Sequence, residues 1–120
     1  MKELLERWSE LEPERCIRNT ASTAHHYGCT GPYMVLIDSK FYCLEYGLDT
    51  RCMQAIIQGA VQQAIEARGW GFSCGYNTQF KHYWGFVVAT HCDHTEDSQK
   101  STVDALLSAY LKMLRAEVTK

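Results

Sequence analysis

His91, Cys92, Asp93 and His94 form the densest run of side chains able to ligate a metal or move a proton, with His82 upstream and His25, His26 and Cys29 nearer the N-terminus. Neutral imidazole and thiolate are the donors zinc prefers, so four of these residues could make a site. No Cys-x-x-Cys pair is present to anchor one, and a strand ending in a solvated loop accounts for His91 and His94 without a metal. The expectation is therefore no metal and no cofactor. Cys92, close to two histidines, is the one thiol whose neighbours suggest a nucleophile with its base. Adjacent residues of a strand point to opposite faces, so His91 and Cys92 diverge if the strand reaches them, and a dyad would have to come from the fold. There is no Gly-x-Ser-x-Gly, Walker loop or dinucleotide fingerprint; Gly69, Gly71 and Gly75 lie in the wrong frame to cradle phosphate. These residues predict no catalytic site.

A second concentration is aromatic and polar: Trp70, Phe72, Tyr76, Phe80, Tyr83 and Trp84 stand with Asn77, Gln79, Lys81 and His82. A two-stranded ribbon with so many rings carries more aromatic surface than one core face absorbs. Tyr and Trp bury large areas with few rotors lost, which suits them to recognition. The candidate binding residues are Tyr76, Asn77, Gln79, Lys81, His82, Tyr83 and Trp84. Core packing is the competing explanation, and it accounts for Trp70, Phe72 and Phe86.

The elements that must position these residues follow from periodicity. Leu4, Leu5, Trp8 and Leu11 recur at helical spacing until Pro13, which pushes the preceding residue out of the α region. The stripe of this short helix needs a surface to cover, and a second subunit could supply it. Residues 16–32 show no sustained period and read as an irregular connection. Tyr33–Ile37 and Phe41–Tyr46 flank Asp38-Ser39 as a hairpin. Met53, Ile56, Ile57, Ala60, Val61, Ala64 and Ile65 trace one helical face, closed near Arg68 by Gly69. Trp70, Phe72, Cys74 and Tyr76 then alternate with Gly71, Ser73 and Gly75, and Phe80–His91 follows as a partner strand with Phe80, His82, Trp84, Phe86 and Val88 on one face. Val103, Leu106, Leu107, Tyr110, Leu111 and Leu114 mark a last helix, with Ser101 and Asp104 placed to cap it. The predicted fold class is α+β, a single domain over residues 1–120. An N-terminal helix and irregular segment (1–32) precede a ββαββα core (33–120), whose two ββα units form a four-stranded antiparallel sheet with helices packed on it.

Composition bounds the function. The chain has 120 residues, 46% of them hydrophobic and 22% charged, which suits one folded core. A net charge of −2 supplies no positive field for nucleic acid. No apolar run is long enough to cross a bilayer, and Met1 to Glu12 is acidic, so the expectation is neither secretion nor membrane insertion. The six cysteines are accordingly read as reduced thiols of a cytoplasmic protein, with Cys43, Cys52 and Cys74 as small buried hydrophobes.

Glu10-Leu-Glu-Pro-Glu-Arg15, Gln58 to Trp70 (QGAVQQAIEARGW) and Ala105-Leu-Leu-Ser-Ala-Tyr-Leu111 resemble small phage and prophage proteins of the α/β/α sandwich type. In those proteins a helix ends at Gly-Trp, a hairpin follows and an Ala/Leu-rich helix closes the chain, here Arg51 to Glu117. The resemblance implies a phage or mobile-element origin, hence the host cytoplasm, and supplies no catalytic motif. The function expected is a non-enzymatic accessory protein that binds, and so inhibits, a host protein such as a defence factor. One alternative is sequestration of a small nucleotide between subunits of a homo-oligomer, rings stacking on the base and Lys81, Arg51 or Arg68 meeting phosphate. Another is a metal- or thiol-dependent protein built on the His/Cys run.

Overall fold

A computed structural model describes residues 1–20, 31–45 and 47–118. The described chain is α+β, with α1 (Lys2–Leu11), β1 (Cys16–Arg18), β2 (Tyr33–Ile37), β3 (Lys40–Leu44), α2 (Arg51–Ala67), β4 (Gly71–Asn77), β5 (His82–Ala89), β6 (Cys92–Ser98) and α3 (Thr102–Val118). The strands form two antiparallel three-stranded sheets, ordered β1-β2-β3 and β4-β5-β6. The expected four-stranded sheet is thus corrected: each hairpin gains a third strand of its own, and the hairpins do not pair. The chain divides into two compact units, Met1–Ala60 and Val61–Lys120, with the boundary inside α2.

In the first unit, Asp38 and Ser39 both take positive φ, 50° and 66°, the twist of a tight two-residue hairpin turn. β1 pairs Cys16–Arg18 with Val35–Tyr33, inside the segment read as irregular; three residues are too few to show a period. Leu5 and Trp8 of α1 are fully buried within the chain, while Leu4 and Leu11 of the same stripe are half-buried. The Cys16 thiol donates to the Leu5 carbonyl at 3.6 Å, and Trp8 Nε1 donates to the buried Glu12 carboxylate at 2.9 Å. Cys43 is disulfide-bonded. Reduced thiols throughout is therefore corrected at that position, because spacing alone does not say which sulfurs a fold brings within reach. Cys52, expected inside, is exposed in the first turn of α2.

In the second unit, α2 ends as its sequence dictates. Gly69 takes φ 73°, the Gly69 amide donates to the Glu66 carbonyl and the Trp70 amide to that of Ile65, which satisfies two carbonyls left open by the helix end. At the other end of the unit the Ser101 hydroxyl accepts from the Asp104 amide at 3.1 Å and caps α3. α3 is buried well beyond one stripe: Ala105, Ala109 and Met113 are as enclosed as Leu106, Leu107 and Tyr110. Gly85 lets it approach the sheet, since a Cβ there would stand 2.5 Å from the Leu106 backbone.

Candidate functional site

The close approach at Gly85 defines which face of the second sheet is which. Directly paired residues share a face, so Gly85 places Cys74, Tyr76, Tyr83, Val87, Glu96 and Ser98 on the helix side with it. Contacts with α3 agree: Glu96 pairs with Lys112, and the Ser98 hydroxyl donates to Asp104 at 3.1 Å. Burial raises the Cys74 thiol above its ordinary pKa, which suits a packing role on this inner side rather than a nucleophile. The outer face carries Gly71, Ser73, Gly75 and Asn77 from β4, His82, Trp84, Phe86 and Val88 from β5, and Asp93, Thr95 and Asp97 from β6.

The seven candidate residues are therefore divided. Tyr76 and Tyr83 pair on the inner face at the hairpin end, rings 4.8 Å apart, with Tyr76 still 49% exposed because it stands at the hairpin end of the sheet. Asn77, His82 and Trp84 belong to the outer face, while Gln79 and Lys81 sit in the connecting loop. Asn77 builds that loop: its side-chain oxygen accepts from the amides of both Gln79 and Phe80 at 3.0 Å. Lys81 closes it at φ 54°. Phe80, 66% exposed at the tip, stacks beside His82 with ring centroids 6.2 Å apart, and His82 Nε2 lies 3.4 Å from Asp97.

Sequence reasoning missed Phe80, Phe86, Val88, Asp93 and Asp97 as members of this surface. The alternation of Phe80, His82, Trp84, Phe86 and Val88 was visible, but the more apolar set of a strand is normally the buried one. Here it faces outward, and Phe86 is corrected from core to a half-buried outer position. β6 was missed entirely because Asp, Glu, Ser and Thr dominate it. Its alternation of half-buried and exposed residues is nonetheless that of an edge strand.

The same geometry divides the His/Cys run only in part: Cys92 and His94 share the inner face of β6, Asp93 points outward, and His91 lies in the exposed β5–β6 turn. His25, His26 and Cys29 lie outside the described residues. Among the described residues no three His, Cys, Asp or Glu side chains stand together to hold a metal ion. A cavity of about 180 Å³ is lined by His91 and Cys92 together with Trp70, Ala89, Met113 and Ala116. Arg68 covers that indole at 5.1 Å and is itself held by Glu117 at 2.7 Å and the Tyr110 hydroxyl at 3.1 Å. That guanidinium is committed to packing. No helix among the described residues is long and apolar enough to cross a membrane.

What the outer face offers chemically is contact: rings and one valine in a row, bare backbone on one side and carboxylates on the other. No family model matches the chain, and no curated protein or solved structure matches it.

Proposed function

We propose that this chain is a non-enzymatic binding protein, an accessory protein of the phage type, whose second sheet docks on a host protein such as a defence factor and blocks it. The observation that carries this reading is the outward placement of the apolar set of β5, continued into the exposed Phe80 at the hairpin tip. Half-buried rings on an outer face, flanked by the exposed Phe80 and Val88, have a reason when another surface covers them. The acidic side chains around them fit a protein partner and oppose a phosphate backbone.

The test is capture of a defined partner from a susceptible host by the tagged chain and by a Phe80→Ser/Val88→Ser variant. Both substitutions fall on exposed positions, so an unchanged circular dichroism spectrum and melting temperature are expected. Loss of the partner by the variant is the expected result, and equal capture by both proteins refutes the reading. Calorimetry with cyclic nucleotides checks the sequestration alternative: heat at one ligand per chain or per dimer would replace protein docking as the function.

A further inference from the structure

We infer that the outer face of the second sheet docks a basic, partly apolar segment of its partner, an inference that rests on the binding reading above and specifies the partner's chemistry. Strand register divides that face into three columns. β4 supplies a bare column of Gly71, Ser73 and Gly75; β5 supplies Trp84, Phe86 and Val88; β6 supplies Asp93, Thr95 and Asp97. Trp84 lies across Gly75, where a Cβ would come within 3.0 Å of the indole, and Val88 leans over Gly71, where it would come within 3.1 Å. The apolar column thus spreads over the bare strand. Its other flank meets carboxylates directly, Asp97 opposite Trp84 and Asp93 opposite Val88.

Charge selects the occupant. The strand positions of the face carry no Lys or Arg, with Lys81 standing beyond them in the β4–β5 loop, and His82 lies beside Asp97. Lys112 answers Glu96 on the inner face and leaves the outer carboxylates alone. Nucleic acid and anionic lipid headgroups carry the sign these aspartates repel. A second copy laid face to face brings acid against acid, which costs affinity. A segment with arginine or lysine next to an aliphatic residue meets both columns at once. The aliphatic group covers Phe86 and Val88, while a guanidinium beside Asp97 also reaches the Trp84 ring face.

The experiment is an amide-resonance titration of the full chain with two synthetic hexapeptides, Arg-Leu-Arg-Val-Arg-Leu and its counterpart with Glu for Arg. With the Arg peptide, shifts are expected at Trp84, Phe86, Val88 and Thr95; with the Glu peptide, none. Two exposed ion pairs are worth about a tenfold change in dissociation constant, so Asp93→Asn/Asp97→Asn should weaken the Arg peptide by roughly that factor. Raising salt to about 0.5 M should weaken wild-type binding comparably and the variant's less. Because Asp97 neighbours His82, Asp93→Asn alone is measured as well and should show part of the loss. Equal response to both peptides, no response to either, shifts centred elsewhere, or an unchanged affinity in the double variant each overturns the inference. If Phe80→Ser/Val88→Ser still abolishes capture of the host partner while these charge tests fail, docking stands and only its electrostatic character falls.

Discussion

Replacing Gly85 by alanine puts a methyl group where the backbone of α3 runs. The added Cβ would stand 2.5 Å from the Cα and amide nitrogen of Leu106 and 2.7 Å from the carbonyl carbon of Ala105, against an ordinary carbon contact of about 3.5–4.0 Å. No rotamer change relieves a clash between backbones, so the helix must retreat by roughly 1 Å, and the packing of Leu106, Leu107 and Tyr110 is loosened with it. Overpacking of this kind costs about 1–3 kcal/mol, and the upper end applies where nothing flexible can yield. A loss near 3 kcal/mol is a large share of the roughly 5–15 kcal/mol that holds a domain folded. It should lower the melting temperature by on the order of 10 °C. Urea unfolding followed by circular dichroism should show a lower midpoint with the slope unchanged. Gly75→Ala is the control, because its new methyl meets the Trp84 ring, which can swing outward, and about 1 kcal/mol or less is expected. A Gly85→Ala loss below about 1 kcal/mol, or one no larger than that of Gly75→Ala, would refute the reasoning that this glycine admits the helix.

Three further outcomes follow from named contacts. Lys81→Gly should stabilise the chain by about 0.5–1 kcal/mol, since φ 54° strains a residue with a Cβ; a melting temperature that falls would contradict this. Trp8→Phe takes one donor from the buried Glu12 carboxylate and should cost about 1–3 kcal/mol in urea unfolding, whereas a neutral result would mean that the indole contributes shape only. Burial, reinforced by the Glu12 charge, pushes the Cys16 thiol up to about 12 from its ordinary 9.0. The folded state therefore holds that proton after the unfolded chain has lost it. Stability from this group is full below pH 9 and declines towards pH 12, by up to about 1.4 kcal/mol per pH unit. Cys16→Ala should flatten that decline in the stability of the chain against pH, and parallel curves for the two proteins would dismiss the assignment.

The sequence by itself determined the helices and the tight turns, because their causes are local. The leucine and alanine spacing of α2 and α3, the stop at Pro13, the Gly69 closure and the Ser101 cap all act within a few residues of one another. It also placed the β4–β5 hairpin and its rings. Tertiary structure alone decided that each hairpin pairs with a third strand rather than with the other hairpin, since an edge strand as polar as β6 owes its existence to its neighbour's free hydrogen bonds. It decided too that Cys43 meets another sulfur. Above all it chose the face of β5 that α3 covers. Hydrophobicity favours Trp84, Phe86 and Val88 for burial, yet the helix sits where Gly85 leaves room for its backbone, and that steric fact turns the rings outward.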